Sequence, residues 1–169
     1  VGLVARAPLV MVVRPSLGAN SVADVIRLMK ESPGKLTYGS AGNGAVDHLA
    51  AGWFEARAGV KGLHVPYRGS APAIQDLVAG RLDFMVTTFH PVLPHIQSGK
   101  LRLLAVTSGK RIALLPDAPT VAESGYPGFD FGSWNGIMVP AKTPKEITAR
   151  IYNATIATLK NPTVVKRMS

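Results

Sequence analysis

Short β-branched runs recur along this sequence, each closed by proline or glycine and each followed by apolar residues at helical spacing. Leu9–Arg14 ends at Pro15 and reads as a buried strand. Asn20 or Ser21 then caps a helix carrying Val22, Val25, Ile26 and Met29, which Pro33-Gly34 stops. Leu36–Gly39 is the next strand, and it opens into the loop Gly39-Ser40-Ala41-Gly42-Asn43-Gly44. Val46, Leu49, Ala50, Trp53 and Phe54 form the following helical stripe, closed by Gly59. Leu63–Tyr67, Leu82–Val86 and Leu101–Val106 repeat the strand pattern, with helices marked by Ile74, Leu77 and Val78 and by the segment beyond Pro91. This alternation predicts an α/β fold: a mostly parallel sheet with flanking helices.

The pattern changes at residues 110–135. Pro116, Pro119 and Pro127, with Gly125, Gly128 and Gly132, predict an irregular crossing that serves as a lid, a hinge or an inter-domain passage. Gly136–Val139 reads as a strand, and Thr143-Pro144-Lys145-Glu146 as a capping box opening a helix to about Leu159.

Composition narrows the function classes. There are 169 residues, no cysteine and a formal net charge of +9. The absence of cysteine excludes a disulfide framework and a thiolate metal site. Apolar runs such as Leu9–Val13 are far shorter than the ~20 residues of a membrane-spanning helix, so no membrane insertion is expected. Lys and Arg fall singly, apart from Lys110-Arg111 and Lys166-Arg167, with no stripe or tail of the kind that binds nucleic acid. The excess charge reads as a general bias toward anions.

In a parallel sheet, ligands bind beyond the carboxyl ends of the strands. The residues expected there are Ser40–Ala45, Tyr67–Ser70, Thr87–His90 and Thr107-Ser108, none of them acidic. The glycine loop runs straight into a helix, whose free N–H groups and dipole suit a carboxylate or phosphate; its glycines equally suit a tight turn with no ligand. Enzyme motifs fail on this loop. Gly39 and Gly44 have P-loop spacing, but Ala45-Val46 stand where Lys-Ser/Thr is required. The glycines at 39, 42 and 44 miss the dinucleotide spacing, and Tyr38 replaces the glycine of a nucleophile elbow around Ser40. His48, His64, His90 and His95 show no metal-ligand spacing, so no metal and no cofactor are expected. His48, in the first helical turn, is placed either to donate to a carboxylate or to bond backbone, and Asp47 beside it to serve the helix dipole.

The order of the blocks resembles the substrate-binding proteins of tripartite tricarboxylate transporters, the Bug family. Tyr38–Gly44 with His48-Leu49 is similar to that family's second ligand loop. His64-Val65-Pro66-Tyr67-Arg68-Gly69, Ala71-Pro72-Ala73, Pro94-His95-Ile96, Gly99-Lys100-Leu101-Arg102, Ala105–Ser108 and Pro119–Glu123 follow in the family's order. The resemblance implies a periplasmic, Venus-flytrap binding protein of type II, holding a small di- or tricarboxylate between two lobes for membrane permease subunits. It assigns residues 1–8 to a hinge strand, 9–131 to lobe 2 and 132–169 to an incomplete portion of lobe 1, so the chain is expected to be a fragment. Ala45 departs from the Ser or Thr common after the loop's last glycine, which removes a hydroxyl but leaves a backbone N–H.

The expected ligand residues are therefore Ser40, Gly42, Asn43, Gly44, Ala45, His48, Tyr67, Thr87 and Thr88, acting through hydrogen bonds and positioned water. No catalytic residue is expected. The alternatives are a sensing protein that partners a sensor kinase, or an α/β enzyme with His48 or His90 as base.

Overall fold

The computed structural model describes residues 1–168. Its strands are β1 Gly2–Val13, β2 Thr37–Ser40, β3 Leu63–Pro66, β4 Phe84–Thr88, β5 Arg102–Val106 and β6 Gly132–Ile137. Its helices are α1 Val22–Glu31, α2 Val46–Ala58, α3 Ser70–Val78, α4 Phe89–Gln97, α5 Lys145–Leu159 and α6 Pro162–Met168. The chain forms two compact units, Pro8–Ser133 and a smaller one built from Val1–Ala7 with the segment from Trp134 onward. None of the helices among the described residues is long and apolar enough to cross a membrane.

In the larger unit the strand order is β3-β2-β4-β1-β5. β2 pairs in parallel with β3 and β4, whereas β1 pairs antiparallel with both β4 and β5. Four strands therefore share a direction and β1 alone runs against them, which leaves the sheet mostly parallel. Residues Leu9–Val13 of this reversed strand are wholly buried. Their alternation divides them between two layers: Leu9, Met11 and Val13 pack with residues of α1 and α2, and Val10 and Val12 with residues of α3 and α4. A strand covered on both faces needs a continuous apolar run, and LVMVV supplies it.

Local signals are realised where the sequence carries them. Ser21 caps α1 by accepting the Asp24 N–H, and Val22, Val25, Ile26 and Met29 are its buried residues. Gly59 takes φ 63° to close α2, a left-handed conformation that favours glycine. Two expectations are corrected. Leu49 is 54% exposed, and Asp47 joins Ala50, Ala51, Phe54 and Ala58 on the buried side of α2. The capping box at Thr143 does not form, because Pro144 itself sits at the N-cap of α5 with extended backbone and no side-chain cap.

The proline-rich crossing does not stand free as a lid. Phe129 is buried and stacks on Trp53 of α2 at 4.8 Å, and Thr120 bridges to Val106. The buried Thr107 hydroxyl joins Leu9 and Phe131: it donates to a backbone carbonyl of this pair while accepting the Leu9 N–H at 3.1 Å. These contacts tie the crossing to the central strand. In the smaller unit β6 pairs with β1, Tyr152 of α5 lies against Gly2, and α5 has no fully buried residue.

Candidate functional site

Because β2, β3, β4 and β5 point the same way, Ser40, Pro66, Thr88 and Val106 end at one edge of the sheet. Ser40 to His48 form the loop and first helical turn at the end of β2. The glycines are required by backbone geometry: Gly42 has φ 137° and Gly44 has φ 77°. At Gly42 the conformation decides and not space, since a Cβ would meet the Tyr67 carbonyl only at 3.4 Å, an ordinary contact.

Asp47 shapes this loop. Its carboxylate, 3% exposed, accepts the Ala41 N–H at 2.7 Å and the His48 N–H at 2.9 Å. A buried carboxylate at a helix N-terminus is stabilised by the dipole and by these charge-assisted bonds. Its role thus extends beyond the dipole effect read from the sequence, to clamping the loop onto the helix.

The loop's amides divide into two groups. Ala41 donates to Asp47, Gly42 to Ser40 Oγ at 3.1 Å, Gly44 to His48 Nδ1 at 3.0 Å and Ala45 to the Gly42 carbonyl at 3.2 Å. The N–H groups of Asn43, Val46 and Asp47 have no acceptor among the described residues. Asn43 is exposed, Val46 half-buried and Asp47 buried, so of these donors the Asn43 N–H lies at the loop's outer surface. Free amides at a helix start present positive potential to an anion.

Sequence reasoning missed His64. Parallel pairing of β2 with β3 sets it opposite Tyr38, and its ring stacks on Tyr38 at 5.0 Å and on His48 at 4.0 Å with 10° between the planes. Its Nε2 lies 2.6 Å from Ser40 Oγ. Burial, then the neighbouring His48, holds His64 below the usual imidazole range, against the opposing pull of Asp47. The only local signal is a histidine at the second position of an edge strand beside the glycine loop; the stacking itself comes from the pairing of Tyr38 with His64 across the sheet. The Ser40–His64 contact has the look of a nucleophile and its base, but Ser40 is 0% exposed and its oxygen also takes the Gly42 N–H. No substrate atom reaches it there.

The remaining expected residues are spread along the same edge. Tyr67 follows β3, donates its N–H to the Ser40 carbonyl at 3.0 Å, and gives its hydroxyl to Asp76 at 2.7 Å. Burial and the Asp76 contact push that phenol up to about 12, so it stays protonated. Thr87 is buried and Thr88 half-buried at the end of β4, opposite Val10 and Leu9 of the reversed strand. His90 and Arg68 are exposed. Ser40, Gly42, Asn43, Gly44, Ala45 and His48 are thus brought into one loop with Tyr67 against it, while Thr87 and Thr88 stand on the adjoining strand.

An α/β lobe with a mostly parallel sheet binds ligands beyond the carboxyl ends of its strands, where this glycine loop lies with free amides at a helix start. Comparison with known proteins supplies the family. Residues 1–169 match the tripartite tricarboxylate transporter family receptor, and the chain belongs to that family. A relative from Pseudomonas sp. (strain P51), the UPF0065 protein in the tcbD-tcbE intergenic region, is 40% identical over 98% of this chain and 50% of its own length. Protein BugT of Bordetella pertussis is 34% identical over 98% of this chain and 51% of its own. Among solved structures, Rpa4515 of R. palustris with adipate superposes with a TM-score of 0.89 at 35% identity, covering 98% of this chain and 55% of that one. The periplasmic binding protein BugD gives 0.89 at 36% identity, covering 99% and 56%. MatC of Rhodopseudomonas palustris with bound malate gives 0.89 at 27% identity, covering 98% and 56%. The chain spans about half the length of these relatives. Its family and fold are those of substrate-binding proteins and not of enzymes.

Proposed function

We propose that the protein is a periplasmic receptor that captures a small organic carboxylate, a di- or tricarboxylate or a related acid, for the membrane permease of a tripartite tricarboxylate transporter. The observation that carries this reading is the set of unengaged N–H groups at Asn43, Val46 and Asp47, where the glycine loop enters α2. Bound adipate and malate in two solved relatives support the choice of ligand class. Ser40, Gly42, Gly44 and Ala45 shape the loop, Asn43 and His48 face the ligand, and Tyr67, Thr87 and Thr88 hold hydrogen-bonded water along the sheet edge. The reading takes the larger unit as the lobe that presents the loop and the smaller one as part of the second lobe. Capture involves no turnover.

Titration calorimetry of the intact protein with mono-, di- and tricarboxylates tests this. Binding of at least one di- or tricarboxylate is expected. Binding confined to uncharged sugars or to amines overturns the reading, and conversion of a bound acid to product overturns its non-enzymatic part.

A further inference from the structure

We infer that His48 and His64 form a proton-linked latch on the glycine loop, so that a carboxylate binds together with one proton. The inference rests on the carboxylate reading above and deepens it. An imidazole nitrogen that accepts a hydrogen bond carries no proton. His48 Nδ1 accepts the Gly44 N–H at 3.0 Å, so in this state the histidine is neutral at Nδ1 and occupies one of the loop's outward amides. A proton added at Nδ1 turns the acceptor into a donor. The Gly44 N–H and the new Nδ1–H then face each other, and an anion between them accepts from both. A ligand carboxylate completes that arrangement and stabilises the imidazolium by charge.

The surroundings hold uptake to a single proton and place it on His48. The rings of His48 and His64 stack at 4.0 Å, and two positive charges at that spacing repel strongly. Burial first, and a charge on His48 second, disfavour a proton on His64. Its Nε2 is tied to Ser40 Oγ at 2.6 Å, which keeps its ring parallel to His48. His64 is thus a positioning residue.

The other ionisable groups around the pair are already committed. On α2, Asp47 holds the Ala41 and His48 amides, and its negative charge opposes the lowering of His64. Glu55, also on α2, accepts the Gly62 N–H and the Tyr38 hydroxyl. Tyr38 on β2 is pushed up to about 12 by burial and by Glu55, so it stays neutral. Beyond β3, Tyr67 is bonded to Asp76, which pairs with Arg81, and Arg68 is exposed.

Calorimetry of the intact protein with adipate and with malate, in buffers of different ionisation enthalpy, reads the proton number. From about pH 8 to about pH 6, affinity is expected to rise toward the one-proton limit of tenfold per pH unit, with proton uptake on binding. His48→Asn, which retains an acceptor but cannot take a proton, is expected to lose that slope. Binding with a flat pH profile and no proton uptake overturns this inference and leaves the carboxylate reading intact; so does a slope that survives in His48→Asn. No binding of any carboxylate at any pH overturns both. A measurement without ligand is also decisive: in NMR titration the Gly44 amide resonance is expected to move with the His48 ring, and a Gly44 amide that stays fixed while His48 titrates refutes the latch.

Discussion

Replacing Asp47 with alanine removes the group that gives the glycine loop its shape. The carboxylate is 3% exposed and accepts two backbone N–H groups, from Ala41 at 2.7 Å and His48 at 2.9 Å. Hydrogen bonds to a charged acceptor contribute about 1.5–3 kcal/mol each, and the favourable dipole position adds about 0.3–1 kcal/mol. Non-additivity brings the expected loss to about 3–5 kcal/mol. For a chain of this size, about 2–4 °C of melting temperature is lost per kcal/mol, so Asp47→Ala is expected to melt about 6–20 °C lower. Asp47→Asn keeps one carbonyl acceptor but turns an amide NH2 toward the other N–H, so its loss is expected to be roughly half as large. Circular dichroism melts of the intact protein with both variants, followed by adipate calorimetry below the transition, measure stability and loop integrity separately. An Asp47→Ala melting point within about 2 °C of wild type, with unchanged adipate affinity, would refute the clamp.

Further outcomes follow from single positions. Gly44→Leu meets no atom within 4 Å of its Cβ but must adopt φ 77°, so it is expected to cost about 1–2 kcal/mol in melts and to weaken adipate binding at least about tenfold; full affinity would remove the loop from the ligand surface. At Gly39, a Cβ would lie 2.6 Å from Leu82 Cδ1 and 3.2 Å from Ala73 Cβ, so Gly39→Ala is expected to destabilise by about 1–3 kcal/mol, with partial rescue by Leu82→Ala in the double mutant. His64 is held below its ordinary value of 6.5 when folded, so the unfolded chain binds the extra proton first. Stability is therefore complete above about pH 6.5 and falls as pH drops below it; His64→Gln is expected to flatten that part of the melting-point profile, and an unchanged profile would contradict the burial of the ring.

What could be read from the sequence is what short-range chemistry controls. The α1 stripe with its Ser21 cap, the glycine closing α2 and the buried run Leu9–Val13 depend on neighbours within a turn or two, or on hydrophobic periodicity. The glycine loop was legible for the same reason, since φ 137° at Gly42 and φ 77° at Gly44 mark residues that other side chains rarely replace. Thr143 shows the limit of such reading: the same four residues fit a capping box, but the extended Pro144 takes the N-cap place and the box is lost.

Pairing across the chain decided the rest. The reversal of β1 against its neighbours is set by which strands it meets, Phe84–Thr88 and Arg102–Val106, and a run of five apolar residues has no direction written in it. The sequence left the crossing open between a lid, a hinge and an inter-domain passage, because prolines and glycines report only local irregularity; its packing comes from Phe129 on Trp53 and from Thr107, whose partner Leu9 is 98 residues away. At the site, sequence spacing brought together the loop and His48. The latch itself needs β3 beside β2 to lay His64 over that ring, and the burial of Asp47 needs α2 turned so that Leu49 points outward. The glycine loop and helix start were thus determined by the sequence alone, because backbone sterics act within a few residues. Which amides stay free, and which histidine rings stack, was decided only by the tertiary fold, because those contacts join elements that local periodicity cannot align.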